Sequence, residues 1–193
     1  MTLWTIQHIE VLDEINKFGY YVCNPDKLDF ISDEMISIKN AYNWLVVEME
    51  KRIGKKPNNV IYPIWAWHTR DWKYKKPDLR QCGYGTPGKQ YACIELEIPD
   101  KQVVLSDFDI WHYVLNDWYF DNSFNKIEWD NKHAYYNSLS FEKKLKERVK
   151  SWQEVFNITP YKSDWFCRGR YIQATFWVLQ SNQIKKIQYF KAK

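Results

Sequence analysis

Apolar residues recur along the chain in two periods, and glycines and prolines punctuate them. LWTI at 3–6 is β-branched and aromatic and predicts a short strand. Ile9, Leu12 and Ile15 then repeat at helical spacing between Gln7 and Lys17, with Gly19 as the stop. A loop around Asn24-Pro25-Asp26 follows. From Phe30 to Ile53, the residues Met35, Ile38, Tyr42, Leu45, Met49 and Ile53 lie three or four apart, which predicts a long helix closed by Gly54. VIYPIWAW (60–67) reads as a strand, and Pro63 marks it as an edge or a bulge. Residues 68–90 lack periodicity and hold Gly83, Gly85 and Gly88, so they predict a long loop of the kind that carries function.

YACIELEI (91–98) alternates like a strand and turns at Pro99-Asp100, and QVVLS (102–106) is a further strand. Ser106 or Asp107 can cap a helix over 108–116. Residues 117–138 read as irregular, Ser140 to Asn157 as a helix, and 171–179 and 185–190 as strands. Strands outnumber crossover helices. The order therefore predicts an α+β fold with a mixed, mainly antiparallel sheet and flanking helices. No repeat or linker divides the chain, so residues 1–193 are expected to form a single domain.

Composition alters this picture at one point. The chain of 193 residues is 45% hydrophobic, which suits a folded core, but it carries 11 Trp, 14 Tyr and 10 Phe. A core of this size needs only some of those rings, and the rest are expected to line a groove, pocket or partner surface. Net charge is only +4, but it is unevenly spread. Residues 51–80 carry nine basic groups against Asp71 and Asp78, whereas residues 94–130 carry nine acids against Lys101 and Lys126. An anion-binding surface on the first segment is one reading, and two solvated faces that partly neutralise each other is the other.

No apolar run approaches the roughly 18 residues of a membrane span, and MTLWTIQHIEVLDEI lacks the basic start of a signal peptide. Cys23, Cys82, Cys93 and Cys167 form no CxxC pair and have no His at ligand spacing. They are expected to be free thiols, with no metal, in a cytoplasmic protein. There is no GxxxxGK[ST], GxGxxG, GxSxG or HExxH, which leaves phosphate-loop, Rossmann, esterase and zincin chemistry without support.

Three constellations remain. Tyr62, Trp65, Trp67, Trp72 and Tyr74 interleave with Arg70, Lys73, Lys75, Lys76 and Arg80, a mixture that can stack planar rings and hold phosphates. Solvated loop cations beside a core Trp face would look the same. Asp109, His112 and Asn116 share one helical face, where a carboxylate can tune an imidazole as a general base, or simply answer the helix dipole. On the strand YIQATFWV, Gln173 and Thr175 share a face opposite Ile172, Ala174 and Phe176, and line either a cleft or solvent.

LWTIQ, YPIWAW, KPDLR, LSDFDIWHYVLN and IQATFWVLQSNQIKKIQYF together resemble an uncharacterised bacterial family of about this length, a domain of unknown function. More distantly, LWTIQHIEVLDEINKFG and the closing strands resemble ADP-ribosyltransferases, especially the toxins of that superfamily that modify nucleic acids. This second resemblance implies an ADP-ribosyltransferase-like fold, NAD as cofactor and a macromolecular acceptor. In that family a short first strand holds the cofactor and a late Gln- or Glu-x-Glu motif supplies the catalytic carboxylate. Here the first position falls at Thr5, between Trp4 and Gln7, and the late motif becomes Gln173-Ala174-Thr175. A Thr hydroxyl cannot supply the charge of the missing Glu. Asp107, Asp109 and Glu95 are the acids that would have to replace it.

The resemblance implies a cofactor cleft lined by Trp4, Gln7, Tyr62, Trp65, Trp67, Arg80 and Gln173, with Thr175 at the catalytic position. His112 with Asp109 is the acid-base pair expected if chemistry occurs. Two other functions stay open: a non-catalytic module that binds nucleic acid or a nucleotide signal through residues 60–80, and a protein-interaction adaptor with exposed aromatics.

Overall fold

A computed structural model of the protein describes residues 1–24 and 35–193. The first strand, β1 (Thr2–His8), leads into α1 (Glu10–Phe18), which buries Val11, Leu12 and Ile15 at helical spacing. Gly19 closes α1 in the left-handed region at φ 80°, where a side chain would be strained. The two-residue strand β2 (Tyr20–Tyr21) follows. The helix expected from Phe30 is α2 (Ile36–Ile53); its expected start lies outside the described residues. β3 (Ile64–Arg70), β4 (Lys73–Tyr74), β5 (Gln90–Glu97) and β6 (Val104–Asp107) come next, then α3 (Phe108–Leu115), α4 (Lys126–Ser138) and α5 (Phe141–Ser151). Short pairs β7 (Tyr161–Lys162) and β8 (Cys167–Arg168) precede β9 (Tyr171–Phe176), β10 (Leu179–Gln180) and β11 (Ile184–Lys191).

The fold is α+β. Its main sheet runs in the order β11-β5-β1-β3-β9-β6, with β4 hairpinned onto β3, and every described strand pair is antiparallel. Pro63 does not put its strand at an edge, because β3 begins after it and lies between β1 and β9. The irregularity is instead at His68, where the pairing with β9 slips between Trp67 and Thr69. The expected loop at 68–90 is shorter, since β3 continues to Arg70 and β4 follows at once. Residues 126–138 are the helix α4 rather than irregular chain.

Alternation along the strands sends side chains to two cores. One sheet face packs Leu3, Ile94, Leu96, Ala66 and Ala174 against Val11, Leu12 and Ile15 of α1. On the opposite face, Val104 and Trp65 meet Leu45 and Met49 of α2 and Ile110, Trp111 and Val114 of α3. Farther along this second face, towards β1, β5 and β11, β4 and the chain after it approach the sheet. There Tyr74 lies 5.4 Å from the Trp4 ring and Lys76 Nζ donates to Gln188 Oε1. Among the described residues no helix is long and apolar enough to cross a membrane.

Candidate functional site

Strand register assembles a row of polar and aromatic residues across that second face. Glu95 is opposite Trp4, Trp4 opposite Trp67, Trp67 opposite Gln173 and Gln173 opposite Ser106. The Trp4 indole donates to Glu95 Oε2 at 3.1 Å. Gln173 Oε1 and Ser106 Oγ are buried without a hydrogen-bond partner among the described residues. Trp67 is half-buried, and its ring lies 5.2 Å from Phe108, which opens α3. Phe108 in turn meets His112 edge-on at 4.6 Å and Tyr171 at 6.4 Å.

Beside this row Arg70 is held among aromatic rings. Its guanidinium lies 4.2 Å from the centroid of Trp67, 5.2 Å from Tyr171 and 5.6 Å from Tyr84. Such stacking fixes a cation without consuming its N–H donors. Arg70 spends one donor on Gln81 Oε1. It forms the floor of an open cleft of about 580 Å³ whose other walls include Lys75, Lys76, Arg80 and Arg170. Two of the residues that line the cleft are carboxylates, Asp71 and Asp78. Asp78 takes a two-pronged grip from Arg80, Nε and Nη2 each at 2.8 Å, which holds its carboxyl far below the usual range. Arg170 Nε donates to Asp71 at 3.2 Å.

The cleft rim is a strained turn. Asp71 and Trp72, between β3 and β4, both adopt left-handed φ values, 53° and 64°. A two-residue hairpin turn of this twist demands them, yet glycine or asparagine usually supplies them. Trp72 N–H donates to the Arg170 carbonyl and so ties the turn to the segment before β9. Farther round the loop, Gly85 lies against Tyr91, where a Cβ would overlap the ring.

Asp107, buried at the α3 N-terminus, accepts from Asp109 N and Ile110 N at 3.0 Å and from Gly169 N at 2.6 Å. Burial raises its carboxyl above the usual range despite those donors. Asp109 is also raised, chiefly by desolvation, while the charges of His112 and Arg170 pull it down. His112 is exposed, and its Nδ1 contacts the Phe108 carbonyl at 2.9 Å rather than Asp109.

The ten residues singled out from sequence thus divide by position. Trp4, Trp67 and Gln173 share the cross-strand row, Arg80 lies on the cleft wall, and Asp109 and His112 lie on α3 next to Phe108. Trp65 and Tyr62 pack around Tyr42 in the core beneath α2. Thr175 is fully buried, and its hydroxyl donates to the Val104 carbonyl at 3.4 Å. Gln7 is on the other sheet face, with its amide on Thr5 Oγ1 at 2.7 Å. Sequence reasoning missed Arg170 and Tyr171 as cleft residues and Tyr84 as a ring beside Arg70. The run RGRY at 168–171 was the available signal.

A second cluster stands apart, in the segment read as irregular. His133 Nε2 meets Asp121 Oδ2 at 3.1 Å, Trp129 stacks on His133 at 4.0 Å, and Tyr119 stacks on Tyr136 at 4.2 Å. Trp129 and His133 are four apart, a helical spacing visible in sequence. Among the described residues no group of three or more His, Cys, Asp or Glu is placed to hold a metal ion.

A family model described as a domain of unknown function, DUF3841, matches residues 2–185. No curated protein and no solved structure matches the chain.

Proposed function

The chain belongs to the DUF3841 family of domains of unknown function, and from that premise we propose that it binds a phosphorylated ligand with a planar ring, of the nucleotide class, in the cleft floored by Arg70. The observation that carries this reading is the guanidinium of Arg70, positioned by Trp67, Tyr84 and Tyr171 in a cleft with five cations and two carboxylates. Prepositioned cations take phosphate oxygens at low entropic cost, and flanking rings take a base or nicotinamide. NAD is one such ligand. Its diphosphate suits Arg70 and Arg170, and its rings suit Trp67 and Tyr171. No transfer step is assigned to Thr175, because its buried hydroxyl faces Val104. A cytoplasmic setting belongs to the same reading, which the four free thiols support.

Titration calorimetry with NAD and with a nucleoside triphosphate tests the reading. Arg70→Ala and Arg170→Ala are each expected to weaken binding by about tenfold, the size of a lost charge-assisted hydrogen bond. Incubation with labelled NAD and protein, DNA or RNA acceptors then reports whether transfer accompanies binding, and His112→Ala whether α3 takes part. A folded sample that binds neither nucleotide at about 1 mM would sink the proposal.

One observation favours a nucleic-acid strand as an extended form of the same ligand. Gln188 joins the cleft to the edge strand β11, which exposes Lys185, Lys186 and Tyr189. A strand bound along that path would show affinity falling steeply with salt, whereas a mononucleotide would show a shallow slope.

A further inference from the structure

Away from the Arg70 cleft, a pocket of about 180 Å³ opens between α3, α4 and the chain before β8. Phe120, only 5% exposed, Tyr113 and Phe166 form its apolar lining, while Trp129 and Trp165, 36% and 45% exposed, are placed for a rim. Tyr113 and Phe166 meet Phe120 at 5.0 and 5.6 Å. The polar residues lining the pocket are Asp121 and Ser123. Ser123 is 4% exposed, and its hydroxyl has no hydrogen-bond partner among the described residues.

From this arrangement we infer that the pocket binds a small N-methylated ammonium group. Ring faces and a single carboxylate attract a cation. Asp121 is already engaged, since Oδ1 accepts from Ser123 N–H at 2.9 Å and Oδ2 meets His133 Nε2. A bare ammonium would bring three N–H donors and find few acceptors, so it would lose hydration without replacement. A quaternary, fully methylated ammonium brings none and presents apolar methyls to the rings. Lys132 is a neighbouring cation. Its Nζ is committed to the Asp121 and Asn122 carbonyls at 2.8 and 3.0 Å. Lys126, ion-paired with Asp130, lies 5.5 Å from the Trp129 ring, so that ring already accepts a cation. The volume of 180 Å³ matches about six waters at roughly 30 Å³ each, room for a trimethylammonium head and a short tail. The free Ser123 hydroxyl then asks for a hydrogen-bonding group on that tail.

Choline, tetramethylammonium and the neutral isostere 3,3-dimethylbutanol, titrated calorimetrically at matched ionic strength, test this inference. Choline is expected to bind, and the isostere to bind at least about tenfold more weakly, since it keeps the shape and loses the charge. Trp129→Ala and Asp121→Asn are each expected to weaken choline by about fivefold or more, while Trp129→Phe retains most of the binding. Ser123→Ala is expected to weaken choline but not tetramethylammonium. Equal binding of the isostere, or no choline binding at about 10 mM by a folded sample, overturns the inference. A trimethyllysine peptide distinguishes the source. If the peptide binds tighter than choline, the group comes from a protein side chain. The reverse assigns a free small molecule, and either result upholds the pocket's chemistry.

Discussion

Asp107 serves two segments at once: it caps α3 through Asp109 N and Ile110 N and satisfies the buried Gly169 N–H just before β9. Replacing it with alanine removes a helix cap, worth about 1 kcal/mol, and strands a buried donor, worth about 1–3 kcal/mol. Asp107→Ala is therefore expected to lower unfolding free energy by about 2–4 kcal/mol in urea denaturation. Asp107→Asn should lose roughly half of that, since its amide oxygen can still cap while its NH2 opposes Gly169. A loss no larger than for a surface residue would refute the dual role. His68 offers a test in pH. Its imidazole sits 4.6 Å from the Tyr74 ring with Nδ1 on Thr69 Oγ1, and burial, aided by the N-terminal ammonium and opposed by Asp100, lowers its pKa from 6.5. The folded state thus prefers neutral His68. Its contribution is complete above pH 6.5 and is lost as pH falls from there towards the lowered folded value. The urea midpoint is expected to drop over that window, and His68→Gln to flatten the drop. An unchanged slope in the variant would assign the acid sensitivity elsewhere.

α4, like α5, buries no residue, whereas α1, α2 and α3 each bury three or more. It is held by the Tyr119–Tyr136 stack, the Asp121–His133 contact and Lys132 on two carbonyls. β5, by contrast, is flanked by β1 and β11 and buries Ala92, Cys93, Ile94 and Leu96. Local opening should be correspondingly cheap, so α4 amides are expected to exchange roughly a hundredfold faster than those of β5. Comparable protection in a hydrogen-exchange experiment would contradict that. α4 was illegible in sequence because its apolar residues Ile127, Trp129, Ala134 and Tyr135 follow no single stripe, whereas Phe141, Leu145 and Val149 of α5 recur every four residues. α1 and α3 bury one face each and could be read directly, β9 showed as an apolar run because its end is buried on both faces, and Asp107 was visible as a cap. β2 and β4 are two residues each, below the length at which alternation shows. The site was half legible for a related reason. Composition marked Trp67 and the cations near it, but the alignment of Trp4 with Trp67 and Gln173 depends on long-range register, as does the approach of Tyr171 and Arg170 to Arg70. Thr175 and Trp65 share the favoured face yet lie beneath helices, which strand alternation alone cannot distinguish from an open cleft.

For the molecule as a whole, the aromatic excess is distributed between the core under α2 and α3, the Arg70 cleft and the pocket beside α4. The two apolar cores are opposite faces of one sheet and share its strands. On β6, Val104 enters one core and its neighbour Leu105 packs against the other; on β9, Ala174 faces one side and Thr175 the opposite. Neither core can be lost without exposing strands that the other needs, so unfolding should be a single cooperative event. Calorimetry is expected to give one peak, with a van't Hoff enthalpy equal to the calorimetric one, about 135 kcal/mol near 60 °C for a unit of 193 residues. Near-ultraviolet and far-ultraviolet circular dichroism should lose signal at the same temperature. The tryptophans make this comparison sensitive, because Trp65, Trp111 and Trp152 belong to one core and report its packing while the far-ultraviolet signal follows the whole backbone. Two resolved peaks, or an enthalpy ratio near one half, would mean that the α2–α3 layer melts apart from the sheet. The chain would then be two folding units rather than one.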